Sequence, residues 1–173
     1  HNSVKSYERA ITLEPENAEA HNNLGNVFRE LEQLDSAINC YKKAIEINPQ
    51  YIEAHYSLGL TFQDLTQLKD AVKSYKIVLE IKPDFTGMHN NLGNVYRELG
   101  QLNDAISSYK KAISIKPDFA EAYYSMGCIL QDLGQLNASV KSYEKVIAIK
   151  PDFSEAHNNL GTIFTEQGRL GEA

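Results

Sequence analysis

Residues 18–51 read AEAHNNLGNVFRELEQLDSAINCYKKAIEINPQY, and residues 86–119 repeat much of that string as TGMHNNLGNVYRELGQLNDAISSYKKAISIKPDF. The five prolines give the length of the repeat, because successive ones lie 34 residues apart, at Pro15, Pro49, Pro83, Pro117 and Pro151. A strict period of about 20–50 residues is typical of repeat architectures. The sequence therefore predicts an array built from one structural unit.

Each unit is predicted to contain two helices. The apolar residues of 18–31 recur with the spacing of one helix face, and so do those of 35–48. Pro49 then ends the second helix, since proline lacks an N–H donor and clashes with the preceding turn. The break between the helices is too short for anything but a tight turn, so we expect antiparallel helix pairs.

Small residues indicate where the paired helices approach each other. A glycine inside a helix costs about 1 kcal/mol relative to alanine, yet one recurs in every first helix, at Gly25, Gly59, Gly93, Gly127 and Gly161. We expect these glycines to make room for the second helix, at its small residues Ala37, Ala71, Ala105, Ser139 and Ala173. Glycine also falls in the turn of three units, at Gly100, Gly134 and Gly168, where a left-handed residue is expected after a helix.

The motif His21-x2-Leu24-Gly25-x2-Phe28, Ala37-x3-Tyr41, Pro49 resembles the pattern of the tetratricopeptide repeat (TPR) family. The one systematic departure is at the tryptophan of that pattern, where this chain has His21, His55, His89, Tyr123 and His157. The resemblance implies an all-α fold, a right-handed α-solenoid of antiparallel helix pairs. It also implies a concave groove lined by the first helices.

The register of the motif divides the chain into one TPR array. Residues 1–17 hold the second helix of a repeat, and four full repeats follow at 18–51, 52–85, 86–119 and 120–153, before a partial repeat at 154–173. Neither end carries the polar capping helix that solenoids need for solubility. We therefore expect a fragment of a longer array, whose uncapped ends offer a route to self-association.

Composition and spacing argue against several functions. The chain has 17 Lys and Arg against 23 Asp and Glu, a net charge of -6, which disfavours nucleic acid because phosphate binding relies on basic residues. There is no apolar run long enough to cross a membrane. Two cysteines are too few for a disulfide framework, so we expect free, mostly buried thiols. We expect a cytoplasmic location.

No motif indicates catalysis, a metal or a cofactor. The histidines recur at the repeat step, and because packed helices lie about 8–10 Å apart their rings are not expected to converge on a metal ion. We expect them instead to be half-buried in the packing, in the position that the family gives to a core aromatic residue. There is no phosphate-binding loop, and every carboxylate repeats with the period, so no unique acid–base pair stands out. We therefore expect a binding protein with no catalytic residues.

The sequence also has a longer period of 68 residues, which is twice the 34-residue repeat. The first helices alternate between an Asn-Asn type (22–23, 90–91, 158–159) and a Tyr-Ser type (56–57, 124–125). We expect this alternation to be confined to residues that the core does not need. By resemblance to TPR proteins, the concave face would carry the peptide-binding residues Asn22, Asn23, Asn26, Arg29, Tyr56, Ser57, Gln63, Asn90, Asn91, Asn94, Arg97, Tyr124, Ser125, Gln131, Asn158 and Asn159.

These residues suggest the kind of partner. An asparagine amide both donates and accepts, so a row of amides can bond the main chain of an extended protein segment. Carboxylates next to that row, such as Glu30 and Asp64, favour a neutral or basic segment. The alternative for the residues is an ordinary solvated surface left by duplication. The alternative for the protein is a substrate-presenting region of a larger glycosyltransferase-type enzyme whose catalytic domain is absent here. The row of asparagines and the Ile-Lys-Pro-Asp-Phe blocks (81–85, 115–119, 149–153) resemble the array of O-linked N-acetylglucosamine transferases. Bacterial TPR proteins share the same blocks.

Overall fold

The computed structural model describes residues 2–166 and 168, which contain ten helices and no strand. The chain forms two compact units, His1–Pro83 (unit 1) and Asp84–Ala173 (unit 2). Unit 1 holds α1 (Asn2–Leu13), α2 (Ala18–Glu30), α3 (Leu34–Ile47), α4 (Ile52–Asp64) and α5 (Leu68–Ile81). Unit 2 holds α6 (Thr86–Glu98), α7 (Leu102–Ile115), α8 (Ala120–Asp132), α9 (Leu136–Ile149) and α10 (Ser154–Glu166).

Helix pairs are the building block of both units. In unit 1, α2 packs on α3 and α4 packs on α5, while α3 joins one pair to the next by contacting α4. In unit 2 the pairs are α6 with α7 and α8 with α9, and α7 and α9 contact the first helix that follows. The first helices α2 and α4 also touch each other, as do α6 and α8. The predicted all-α fold of stacked helix pairs is confirmed.

The turn inside each pair is fixed by a left-handed residue. After α2, the N–H of Gln33 bonds the carbonyl of Phe28 (2.9 Å) and that of Glu32 bonds Arg29 (3.0 Å), which is a Schellman motif. Glu32 has a φ of 58° there. The left-handed residue is glycine in unit 2, as predicted for Gly100, Gly134 and Gly168, but it is Glu32 or Thr66 in unit 1.

The close approach at the first-helix glycines is to a tyrosine ring. A Cβ built on Gly25 would lie 2.6 Å from Cε1 of Tyr41, and one on Gly93 would lie 2.5 Å from Cε1 of Tyr109. The prediction of a close approach is therefore confirmed, but the nearest atoms are not those of the small residues. Ser139 does reach the glycine backbone, since its hydroxyl donates to the carbonyl of Gly127 (2.8 Å). Ala173 lies outside the described residues.

The histidines of the first helices form hydrogen bonds with the proline turns that precede those helices. The Nε2 atom of His55 bonds the carbonyl of Pro49 (2.9 Å), and the same bond joins His21 to Pro15 (3.0 Å). In unit 2, His157 bonds the carbonyl of Pro151 (2.8 Å). His21 and His89 are half-buried, as predicted, whereas His55 is buried and His157 is exposed. A ring that donates to a carbonyl explains why a polar aromatic residue occupies this position.

Candidate peptide-binding surface

The candidate residues in unit 1 begin with amides that bond buried tyrosines. Tyr41 is fully buried, and its hydroxyl donates to Oδ1 of Asn26 (2.9 Å). The hydroxyl of Ser57, from the next first helix, reaches the same oxygen at 3.4 Å. The equally buried Tyr75 donates to Oε1 of Gln63 (2.5 Å). Each side-chain oxygen thus satisfies a hydroxyl that packing has removed from water.

Unit 2 repeats the arrangement. The hydroxyl of Tyr109 donates to Oδ1 of Asn94 (2.7 Å), and that of Tyr143 donates to Oε1 of Gln131 (2.9 Å). Asn159 adds a further bond, because its Nδ2 donates to the Tyr143 hydroxyl (3.1 Å). Each buried tyrosine of unit 2 is therefore tied to an amide on the first helix of its own pair.

This pattern gives the 68-residue alternation a structural role. In the Asn-Asn repeats the acceptor lies 15 residues before the tyrosine, at Asn26 or Asn94. In the Tyr-Ser repeats that position is Leu60 or Cys128, and the acceptor lies 12 residues before the tyrosine, at a glutamine. The 68-residue alternation also covers these positions, since Asn26 and Asn94 alternate with Leu60 and Cys128, and Gln63 and Gln131 alternate with Arg29 and Arg97. The expectation that the alternation is confined to residues the core does not need is therefore wrong for Asn26, Gln63, Asn94 and Gln131.

The tyrosine hydroxyls act as donors at neutral pH. Burial raises the pKa of Tyr41, Tyr109 and Tyr143 above the ordinary tyrosine value. A protonated hydroxyl that donates to an asparagine oxygen fixes which end of the amide faces the tyrosine. The Nδ2 groups of Asn26 and Asn94, both half-buried, are left without a protein partner among the described residues.

Other candidates differ in how far solvent reaches them. Asn22 is only 4% exposed, and its Oδ1 is buried without a hydrogen-bond partner in the described structure, as is that of Asn90. Asn158, at the same position of the repeat, is exposed. These three asparagines therefore differ in burial, although they occupy the same position of the repeat.

The aromatic candidates rest on the buried tyrosines. The ring of Tyr56 lies 6.2 Å from that of Tyr75. The ring of Tyr124 lies 5.9 Å from that of Tyr143 and 5.1 Å from that of Phe153. Both candidate rings remain partly exposed, so each offers an apolar edge in a fixed place.

Asn23 and Asn91 are candidates whose side chains form no hydrogen bond within the described structure. Both are half-buried, and they follow Asn22 on α2 and Asn90 on α6 directly. Ser125, at the same position of the next first helix, is half-buried beside the Tyr109 hydroxyl, whose pKa it lowers against the larger effect of burial. A row of amides and hydroxyls therefore follows the first helices within each unit.

The two arginine candidates have different surroundings. Nε of Arg29 donates to Asp64 at 2.8 Å, and this bond is the main cause that raises the pKa of Arg29. An open cleft of about 700 Å³ surrounds the pair, and its wall includes the carboxylates of Glu30 and Glu32. Arg97 is exposed and has no ion pair with a described residue. Sequence reasoning missed the ion pair of Asp64. The spacing of 35 residues does not indicate it, because Arg97 and Asp132 have the same spacing and form no ion pair with a described residue.

Groups that could support other chemistry are dispersed. No three His, Cys, Asp or Glu side chains of the described residues are placed to hold one metal ion. Cys40 and Cys128 are free and half-buried, and burial raises the pKa of the Cys40 thiol to about 11. No helix among the described residues has both the length and the apolarity to span a bilayer.

Family models match most of the chain. A model described as "TPR repeat" matches residues 2–30, 25–66, 93–134 and 127–168. A second model, "Tetratricopeptide repeat", matches residues 52–85. No curated protein matched the chain.

Solved structures show the same fold. A crystal structure of MamA is 26% identical, with a TM-score of 0.81 over 88% of this chain and 89% of that one. YrrB, described as a TPR protein with an unusual peptide-binding site, is 22% identical, with a TM-score of 0.78 over 96% of this chain and 86% of its own. MamA from Desulfovibrio magneticus RS-1 is 19% identical, with a TM-score of 0.79 over 89% and 87% of the two chains.

Proposed function

Because the chain belongs to the tetratricopeptide repeat family, we propose that it is a protein-interaction scaffold whose first-helix faces bind an extended peptide segment. The first-helix face is the surface of α2 and α4 in unit 1 and of α6 and α8 in unit 2. One observation carries the proposal: tyrosine hydroxyls hold the oxygens of Asn26 and Asn94, which leaves the amide N–H groups to donate elsewhere.

The chemistry of the face suits a peptide main chain. The Nδ2 groups of Asn26 and Asn94 donate to backbone carbonyls, while the amides of Asn23 and Asn91 both donate and accept. A hydrogen bond of this kind contributes about 0.5–1.5 kcal/mol net. A few such bonds offset the free-energy cost of association only in part, so micromolar affinity is expected. Side-chain pockets would have to supply any tighter binding.

Charge favours a neutral or basic segment. In the cleft beside Asn26, the carboxylates of Glu30, Glu32 and Asp64 outnumber the single guanidinium of Arg29, which already bonds Asp64. A lysine or arginine of the peptide would meet a net negative wall there, whereas an acidic side chain would be repelled.

The proposal is tested with a peptide array that identifies a binding sequence, followed by affinity measurements on the Asn23→Ala and Asn91→Ala double variant. Loss of one amide from each unit should weaken binding to the face of that unit by about 2- to 5-fold, from roughly 0.5–1 kcal/mol per bond. Asn137→Ala is the matched control, because Asn137 is exposed and lies on the second helix α9. Equal affinity of the double variant and the control would reject the proposed face.

The likeness to YrrB, at 22% identity, supports the fold. The substrate-presenting role in a glycosyltransferase-type enzyme stays a prediction that rests on resemblance. Self-association through uncapped ends also stays a prediction.

A further inference from the structure

A second groove lies in unit 2, on the second helices. It runs between α7 and α9 over α8 and consists of two adjoining pockets of about 440 and 490 Å³. The two pockets share Met126, Lys141 and Ser142. Its floor is apolar, with Ile106 and Leu130 beside Met126, and it ends at Leu133, which is 42% exposed. We call this surface the lysine groove.

The lysine groove is separate from the first-helix face. It uses Met126 and Leu130 of α8, whereas the peptide-binding candidates of that helix are Tyr124, Ser125 and Gln131. With 3.6 residues per turn, Tyr124 and Gln131 project on the side of α8 roughly opposite to Met126 and Leu130. A ligand can therefore occupy one surface without covering the other.

Unpaired lysines line the rim. Lys110 stands on α7, and Lys141 and Lys145 stand on α9. All three are exposed, and none forms an ion pair with a described residue. Glu144 is the one carboxylate among the residues that line the two pockets. The groove is therefore positively charged on a chain whose net charge is -6.

The equivalent surface of unit 1 shows that the repeat does not require this charge. Counting back 68 residues, Asp70 stands where Ala138 lies in the groove, and Asp70 holds Lys73 in an ion pair at 2.7 Å. Lys141, the counterpart of Lys73, has lost that partner. Asp35 and Glu80 are likewise replaced, by Asn103 and Ala148. Unit 2 thus has neutral side chains in place of three carboxylates around one apolar strip. Lys145 also stands in place of Ile77, while Glu144 in place of Lys76 is a change in the opposite direction.

We propose that the lysine groove binds an acidic amphipathic helix of a partner protein. A helix laid between α7 and α9 would place apolar side chains at its i, i+3, i+4 and i+7 positions against Met126 and Leu130. Glutamates or aspartates on its flanks would then lie beside the rim lysines, because charge complementarity orients such a helix and rejects a basic one.

The probe is a synthetic helical peptide with leucine at i, i+3, i+4 and i+7 and glutamate on both flanks, compared with the same peptide carrying lysine for glutamate. Fluorescence anisotropy should give the glutamate peptide at least about 10-fold tighter binding, with an advantage that shrinks at high salt. Equal affinity for the two peptides would overturn the proposal.

Variants locate the binding. Lys141→Glu should weaken the glutamate peptide by about 10-fold, and Ala138→Asp, which restores the partner seen in unit 1, by about 2- to 5-fold. Lys42→Glu makes the same charge change at the unit 1 equivalent of Lys110 and should have no effect. The Asn23→Ala and Asn91→Ala variant should also bind the probe normally, so failure of the proposed first-helix face is a separate outcome.

Two results would contradict the assignment. Equal losses from Lys42→Glu and Lys141→Glu would show that the effect is net charge and not the groove. Concentration-dependent self-association in analytical ultracentrifugation that Lys141→Glu abolishes would show that the occupant is a second copy of this chain.

Discussion

Units 1 and 2 repeat each other at a step of 68 residues, and the interactions that they share are those of the interior. Tyr41 and Tyr109 both donate to an asparagine 15 residues earlier, and both fill the space left by a first-helix glycine. Their ion pairs differ, because Arg29 bonds Asp64 in unit 1 whereas the equivalent Arg97 and Asp132 form no ion pair with a described residue.

This difference separates two kinds of residue that look alike in the sequence. Buried hydroxyls must be bonded wherever the repeat is packed, since an unpaired buried group costs about 1–3 kcal/mol. Exposed ion pairs contribute about 0–1 kcal/mol, so the repeat can lose them without losing its fold. Differences between the units are therefore the place to look for partner-specific surfaces, and the lysine groove is one such difference.

The shared glycine contact should give the largest effect on stability. Gly25→Ala and Gly93→Ala each place a methyl group within 2.6 Å of a buried tyrosine ring. Overpacking of this kind should lower the free energy of unfolding by about 2 kcal/mol in either unit. Gly161→Ala is the control, because a methyl group on Gly161 would meet no neighbouring described atom within 4 Å and alanine favours the helix by about 1 kcal/mol. If urea unfolding showed Gly161→Ala to be as destabilising as the other two, the tyrosine contact would not be the cause.

The tyrosine–amide bonds should come next. Tyr41→Phe and Tyr109→Phe each remove a donor from an asparagine oxygen, so each should cost about 1 kcal/mol, equally in the two units. Tyr51→Phe is the control, since Tyr51 is half-buried and its hydroxyl bonds no described residue. Thermal unfolding of the three variants measures the difference. A loss confined to one unit would contradict the shared role of the bond.

The turns should distinguish the units. Glu32→Gly removes the backbone strain of a non-glycine residue in the left-handed region and should stabilise the protein by about 0.5–1 kcal/mol. Gly100→Ala introduces the same strain at the equivalent turn of unit 2 and should destabilise the protein by a similar amount. Denaturant midpoints give both values. If both substitutions stabilised the protein, or both destabilised it, the left-handed turn geometry would not determine the residue preferred at these positions.

The ion pair should give the smallest effect. The side chains of Arg29 and Asp64 are 34% and 42% exposed, so solvent screens most of their attraction. Asp64→Ala should therefore cost at most about 0.5 kcal/mol, and Asp132→Ala should cost nothing measurable. A larger loss at Asp132 than at Asp64, seen in the same unfolding assay, would reverse the comparison.

Most of the fold could be predicted from the sequence because its signals are local. The apolar period within 18–31 and the 34-residue step of the prolines both reflect backbone geometry, so the helix pairs follow from them. The left-handed turn was predicted where glycine marks it, at Gly100, Gly134 and Gly168. The left-handed conformation of Glu32 and Thr66 could not be predicted from their residue types, since the Schellman hydrogen bonds around them impose their φ angles.

The candidate site could be predicted less well because its contacts are not local. The bond from Tyr75 to Gln63 joins two helices, and nothing in either residue type indicates it. Asn22 and Asn158 occupy one position of the repeat, yet the first is 4% exposed and the second is exposed, which depends on the packing around each. Period and composition reveal neither the partner of a side chain nor its burial.

Nuclear magnetic resonance tests the central claim most directly, by following the side-chain amide signals of Asn23, Asn26, Asn91 and Asn94 as an array-selected peptide is added. We predict that these signals shift together and saturate with the affinity of the peptide, because their N–H groups bond its carbonyls. Stationary amide signals, with shifts confined to the second helices α3, α5, α7 and α9, would contradict it.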